Sequence, residues 1–210
     1  EERLMSKLAF SGYTAAAVIH LLRRQRDAAG LTLFSGEVEF HSQPRLSPVH
    51  AEVMMGKLSE LLQPGFVPMK KTTRTSEVLH QVAENIHKRS LVILFSDMLS
   101  HEEEGDVFAA LQHLRYNKHE VLLFHVTDHL REREFRYASR PHRFIDLETG
   151  ETVKVNPGEI REHYVSRVED YFGELKAKCG QYRIDLAEAD IRAGFREVLF
   201  TYLVKRKKLW

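Results

Sequence analysis

The sequence predicts an α/β domain built on a doubly wound, mostly parallel sheet with helices on both faces. Two runs carry this prediction, LVILF at 91–95 and VLLFHV at 121–126. Neither run alternates polar with apolar residues, which is typical of strands covered on both faces. Amphipathic helical segments precede and follow each run, as in parallel strands joined by crossover helices. We assign residues 1–210 to one domain, since this length can build a substantial core.

Apolar periodicity, capping residues and turn residues predict the elements in order. They are a helix over 4–29, a strand at 31–34 with a hairpin partner at 38–40, helices at 49–62 and 78–86, the strand 91–95, a helix capped by Ser100 and Glu103, the strand 121–126, an irregular charged segment over 128–142, a surface hairpin with strands 144–147 and 152–155, a helix from Asn156-Pro157 to Gly180, a strand at 183–188 and a helix over 191–204.

Composition excludes several classes of protein. The chain has 31 basic and 30 acidic residues, so its overall charge does not indicate binding to nucleic acid or to a membrane surface. Its one cysteine, Cys179, cannot form an intramolecular disulfide, which fits a reducing cytoplasm. No apolar stretch approaches the roughly 20 residues needed to span a bilayer. We therefore expect a cytoplasmic protein without a transmembrane segment.

Candidate functional residues follow the strand 91–95. Ligands of open α/β sheets bind beyond the carboxyl ends of the strands, which is where Ser96 and Asp97 are expected. The sequence contains no phosphate-binding glycine loop, nucleophile elbow or zinc-binding helix motif. Asp97 is also not followed by the second aspartate of an aspartyl-phosphate phosphatase. The alternative is structural, with Asp97 capping backbone N–H groups at the turn into the next helix.

Several segments, taken in order, resemble one bacterial family, designated domain of unknown function fifty-eight, which has a von Willebrand factor type A-like domain. They are QRDAAGLTLFS at 25–35, KRSLVILFSDM at 88–98, LQHLRYNKHEV at 111–121, FIDLETGE at 144–151 and KCGQY at 178–182. The resemblance covers essentially the whole chain. It implies a sheet with helices on both faces and a genomic association with MoxR-type AAA+ ATPases, for which such proteins look like adaptors or co-chaperones.

The resemblance also implies a candidate metal site. Type A domains often bind Mg²⁺ through an Asp-x-Ser-x-Ser loop, a threonine and an aspartate, and oxygen ligands suit this hard cation. Thr73 matches the threonine position and Asp97 the aspartate position, whereas the Asp-x-Ser-x-Ser segment is absent. We expect Mg²⁺ only in an intact protein, and no cofactor for this chain alone. Thr73 and Thr75 have a structural alternative as N-caps of the following helix.

In that fold the strand with Asp-x-Ser-x-Ser is central, between the strands 31–34 and 91–95. The chain opens with Glu1-Glu2 and at the helix expected to follow that strand. We therefore expect a trimmed piece from which the first central strand is missing. Two alternatives stay open: the flanking strands close on each other, or another chain fills the position.

Three classes of function remain. The first is a non-enzymatic protein-binding module whose rim, formed by Thr73, Ser96 and Asp97, binds a protein partner, a MoxR-type AAA+ ATPase. The second is a hydrolase or transferase that uses Asp97 with a nearby histidine such as His101. The third is a nucleic-acid binder acting through the basic tail 205–208 (KRKK), although such a tail is typically a solvated helix end. We expect no nucleic-acid binding.

Overall fold

A computed structural model describes residues 5–35, 37–63, 75–99, 104–146 and 150–207. Its elements are α1 (Lys7–Gln25), β1 (Ala29–Phe34), β2 (Val38–Arg45), α2 (Pro48–Leu61), α3 (Thr75–Asn85), β3 (Leu91–Ser96), α4 (Glu104–Tyr116), β4 (Glu120–Thr127), β5 (His142–Ile145), β6 (Thr152–Val155), α5 (Pro157–Gln181), β7 (Asp185–Asp190) and α6 (Phe195–Lys207). A short π-helical turn over His129–Arg133 follows β4.

The central sheet has three parallel strands in the order β3-β4-β7. β4 lies in the middle, and every residue of it after Glu120 is buried. β3 pairs with β4 from Leu91 opposite Glu120 to Ser96 opposite His125. Within the described ranges β3 has no second neighbour, and only Leu94 of its six residues is fully buried. Both apolar runs predict strands that are buried on both faces. Among the described strands this prediction is confirmed for β4, whereas β3 is only partly buried and has one neighbour.

Helices cover both faces of this sheet, as the sequence predicts for an α/β domain. On one face, α3, α4 and α5 pack against Leu94, Val121 and Leu123. On the other face, α1 and α6 pack against Leu122, Phe124 and Val126. Alternate residues of β4 therefore enter opposite cores, which is the period of two that a strand imposes.

β1 and β2 form a separate antiparallel hairpin. A third core cluster packs Leu31 and Leu33 of this hairpin against α1 and α2. Gly30 lies where the two strands approach closely, since a Cβ atom there would be 2.5 Å from the carbonyl oxygen of Ser42. Among the described residues β1 and β3 form no ladder with each other. The alternative in which the flanking strands close on each other is therefore not observed among the described strands.

Helix boundaries differ from the predictions in places with a clear local cause. α1 begins after Ser6, whose Oγ accepts a hydrogen bond from the Ala9 N–H at 3.1 Å, and it ends at Arg26 with a φ of 61°. Arg26, and not Gly30, therefore provides the left-handed residue that ends this helix. Gly180 lies inside α5, which continues to Gln181.

The predicted surface hairpin is present as the antiparallel pair β5 and β6. Phe135, buried, packs beneath it with its ring centroid 5.8 Å from that of Phe144 and 4.2 Å from that of Tyr164. The segment 128–142 is thus partly ordered by aromatic packing. The predicted cap formed by Ser100 and Glu103 lies outside the described residues. No described helix is long and apolar enough to cross a bilayer.

Candidate functional site

The candidate site is the edge of the sheet where the parallel strands end. Ser96 is the last residue of β3 and Asp97 follows it directly. Asp128 follows the end of β4 in the same way, and Asp190 is the last residue of β7. Because the strands are parallel and in register, these carboxylates meet at one edge, which we call the acidic rim (Asp97, Asp128 and Asp190).

Four hydrogen bonds fix the loop that carries Asp97. The Met98 N–H donates to Ser96 Oγ at 2.9 Å, and the Leu99 N–H donates to Asp97 Oδ1 at 3.2 Å. Tyr171 on α5 donates its hydroxyl to the Met98 carbonyl at 2.8 Å. The fourth bond joins the Asp97 carbonyl to His125 Nε2 at 2.9 Å. They hold Met98 at a φ of 54°, a left-handed conformation that is costly for a residue with a side chain.

The carboxylate of Asp97 forms an ion pair with Lys7 at the start of α1. Lys7 Nζ lies 3.0 Å from Asp97 Oδ2 and 2.7 Å from Glu132 Oε1. Burial by itself lowers the pKa of Lys7, but the carboxylates of Asp97 and Glu132 outweigh it and raise that pKa above its ordinary value. Lys7 therefore remains an ammonium ion that bridges two carboxylates, while 37% of the Asp97 side chain stays exposed.

Asp128 has a different environment at the next strand. Its carboxylate accepts two hydrogen bonds from Arg192, at 2.6 Å from Nε and 3.0 Å from Nη2. The Arg131 N–H donates to it as well, at 3.3 Å. Burial by itself raises the pKa of Asp128, but these donors outweigh burial, so the pKa lies below its ordinary value. Asp128 is 5% exposed, so its carboxylate binds groups of this protein and is not accessible to another molecule.

His125 supports the rim from beneath. It is 1% exposed, and its ring packs on Phe172 with the centroids 4.8 Å apart. Burial lowers the pKa of His125, and this effect outweighs the opposing influence of the Asp97 carbonyl. A neutral ring with its proton on Nε2 donates to that carbonyl. His125 therefore positions the backbone of Asp97 and does not contact its carboxylate.

The described residues alone do not form a magnesium site. Both carboxylate oxygens of Asp97 already have partners, Lys7 at Oδ2 and the Leu99 N–H at Oδ1. Thr73, the second predicted ligand, lies outside the described residues. Over the described part of the chain, no group of three or more histidine, cysteine, aspartate or glutamate residues is placed to hold a metal ion. The ammonium group of Lys7 supplies the positive charge at this carboxylate.

The alternative catalytic and nucleic-acid-binding residues fall mostly outside the described part. His101 is not described, so a pairing with Asp97 stays a prediction. Thr75 is the first residue of α3 and is buried. α6 runs to Lys207, but the side chains of the tail 205–208 are not described.

Sequence reasoning missed two residues of the acidic rim, Asp128 and Asp190. It also missed three residues that contact the rim: Lys7, Glu132 and Arg192. Asp128 could have been found, because it follows the apolar run of β4 just as Asp97 follows that of β3. Arg192 could not, since 64 positions separate it from Asp128 and no local pattern joins them. Lys7 is 90 positions from Asp97, and only the packing of α1 brings the two together.

Comparison with known proteins gives one finding. The family described as "Protein of unknown function DUF58" matches residues 3–171. The chain belongs to the DUF58 family. No curated protein and no solved structure matches the chain. The family match includes α1, the hairpin β1–β2, the strands β3 and β4 and the first part of α5, so the Asp97 loop and its partner Tyr171 both lie within it.

Proposed function

We propose that this DUF58 protein is a non-enzymatic protein-binding module that uses the loop after β3 to bind a partner protein. The observation that carries the proposal is the pre-formed segment 96–99, which contains Asp97. Its backbone is fixed by four hydrogen bonds, while its carboxylate stays partly exposed. A loop already held in one conformation loses little conformational entropy on binding, which favours recognition.

The chemistry around Asp97 supports binding over catalysis. The nearest described histidine, His125, contacts the Asp97 backbone and is buried, so it does not form an acid-base pair with the carboxylate. The only cysteine, Cys179, is also buried, which raises the pKa of its thiol to about 11 and disfavours the nucleophilic thiolate. A hydrolase that uses Asp97 with His101 is the alternative, and turnover of generic phosphatase or esterase substrates would support it.

The proposed partner is a MoxR-type AAA+ ATPase, and the proposed fold class is von Willebrand factor type A-like. Both come from the resemblance of the segments at 25–35 and 88–98 to the family. The protein would then act in the cytoplasm as an adaptor in protein maturation or complex assembly. The same resemblance supports the proposal that an intact protein binds Mg²⁺ with Thr73 and Asp97 among the ligands.

The test measures binding between this protein and a purified MoxR-type ATPase from the same genome by calorimetry. We expect Asp97→Ala to weaken binding at least about tenfold, a loss of roughly 1.4 kcal/mol. The matched control is Asp185→Ala, since Asp185 is an exposed carboxylate at the opposite end of the sheet, where β7 begins. Equal affinities of the two variants would contradict the proposed role of Asp97, and absence of binding by the unmodified protein would exclude this partner.

A further inference from the structure

A small pocket lies where α1 ends and α2 begins. Its volume is about 290 Å³, close to the lower limit of the roughly 300–1,000 Å³ typical of a ligand pocket. Its buried lining belongs to the third core cluster and consists of Ile19, Ala29, Ala51 and Met54. The pocket therefore offers an apolar floor to one large apolar side chain of another molecule.

Three arginines line this pocket, which we call the arginine pocket (Arg23, Arg26 and Arg45). All three are exposed, and among the described residues none of their guanidinium groups forms an ion pair or a hydrogen bond. The negative end of the α1 dipole favours Arg23 and Arg26, but it does not account for Arg45, the last residue of β2. Guanidinium groups keep their positive charge and bind carboxylates through two parallel hydrogen bonds.

One carboxylate lines the same pocket. Asp27 follows Arg26 directly, is exposed, and has no ion-pair partner among the described residues. Three positive groups therefore face one negative group, and the pocket as a whole is complementary to a negative ligand. Such a ligand must also offer a hydrogen-bond donor to Asp27.

These requirements select one kind of occupant. Inorganic phosphate and the phosphate group of an anionic lipid offer acceptor oxygens to the arginines, but Asp27 repels them. A free phosphate also leaves the apolar floor uncovered. A peptide supplies carboxylates to the arginines, backbone N–H groups to Asp27 and an apolar side chain to the floor. We propose that the arginine pocket binds an acidic peptide segment of a partner protein, anchored by one large apolar side chain.

The arginine pocket is separate from the acidic rim. Lys7, which contacts the rim, and Arg23 lie near opposite ends of the 19-residue helix α1, about 24 Å apart along its axis. Residues of α1, β1, β2 and α2 all contribute to the pocket. The proposal therefore does not depend on the role of Asp97, and its test does not need the ATPase.

The experiment measures binding of a fluorescent synthetic peptide with a central phenylalanine and three glutamates on each side. One control peptide has glutamines in place of the glutamates, and another has alanine in place of the phenylalanine. We expect saturable one-to-one binding by fluorescence anisotropy, at least about tenfold weaker for each control peptide. Added NaCl should weaken binding of the acidic peptide more than that of the glutamine peptide, because salt screens exposed charges.

Matched protein variants test the location. Arg45→Gln should weaken binding about threefold or more, whereas Arg24→Gln, in the last turn of α1 but outside the pocket, should leave it unchanged. Leu46→Ala should also weaken binding, because Leu46 lines the pocket and is 63% exposed. Its control is Val53→Ala, an exposed position of α2 outside the pocket. All four side chains are exposed, so each variant should keep its fold, which circular dichroism checks.

Four results would overturn the proposal. Absence of saturable binding at about 1 mM peptide, or equal binding of the acidic peptide and either control peptide, would show that no such segment is recognised. Equal affinities of Arg45→Gln and Arg24→Gln would place the peptide elsewhere on the surface. Displacement of the peptide by inorganic phosphate beyond that caused by NaCl of equal ionic strength, or binding to phosphatidylglycerol vesicles that Arg45→Gln abolishes, would assign the pocket to a free anion or to a membrane. A longer form of the polypeptide that no longer binds the peptide would assign the pocket to the protein's own chain.

Discussion

Asp97 and Asp128 follow neighbouring parallel strands, yet the structure gives them opposite environments. Asp128 is buried and accepts two hydrogen bonds from one guanidinium group. Asp97 shares the single ammonium group of Lys7 with Glu132 and keeps more than a third of its side chain exposed. Equivalent positions at the end of a strand therefore do not imply equivalent roles. The carboxylate of Asp128 joins β4 to the segment after β7, whereas that of Asp97 is accessible to another molecule.

Asp128→Ala should produce the largest loss of stability at the rim. It removes two charge-assisted hydrogen bonds and the acceptor of the Arg131 N–H, and we expect the free energy of unfolding to fall by about 1–2 kcal/mol. Arg192 is partly exposed, so the loss stays below that of a fully buried pair. Chemical denaturation measures this change in the free energy of unfolding. A change as small as that of Asp97→Ala would contradict the different roles of the two aspartates.

The pH dependence of the stability tests the same role of Asp128. The folded-state pKa of Asp128 lies below its ordinary value of 3.8, so its contribution is present above that pH and is lost as the pH falls through the folded-state pKa. The stability difference between the unmodified protein and Asp128→Asn should be constant near neutral pH and should shrink below about pH 4. A difference that grows on acidification would contradict this assignment.

His125→Phe should have a smaller effect on stability, of about 1 kcal/mol, because it removes the single bond to the Asp97 carbonyl. Amide exchange at Met98 and Leu99 should become faster while the Asp97 carboxylate is retained. Burial lowers the pKa of His125 below 6.5, so the unmodified protein should lose stability as the pH falls below 6.5 relative to the variant. Parallel pH profiles of the two proteins would exclude this role.

Asp97→Ala should have the smallest effect on stability and a large effect on binding. Lys7 keeps Glu132 as a partner, and an exposed ion pair contributes at most about 1 kcal/mol. The melting temperature, measured by circular dichroism, should therefore change little. A collapse of the unfolding transition, with unchanged partner binding in the folded fraction, would make Asp97 a structural residue like Asp128.

Added Mg²⁺ should leave the melting temperature of this chain unchanged, because Lys7 and the Leu99 N–H already use the oxygens of Asp97. The control is an equal ionic strength of NaCl. A rise of several degrees, as expected from a ligand well above its dissociation constant, would show that the carboxylate is available to a metal ion.

The sequence predicts where the strands begin and end better than it predicts which strands lie next to each other. Uninterrupted apolar runs locate β3 and β4 to within a residue or two, because burial on two faces leaves no place for polar residues. The same pattern cannot show that β3 has one neighbour among the described strands, since pairing depends on which segment lies beside it. At the rim, a position directly after a strand predicts where Asp97 lies. It does not predict the ion pair of Asp97 with Lys7, because Lys7 is distant in sequence.

Helix α1 takes part in two separate hydrophobic cores. The side chain of Val18 packs in the core of the sheet, whereas its neighbour Ile19 packs in the core of the hairpin β1–β2. A single helix thus contributes to two cooperative units. We expect the hairpin with α2 to exchange its amide protons at a lower opening free energy than β4, whose residues are buried on both faces. Local unfolding would then release the hairpin while the parallel sheet stays folded.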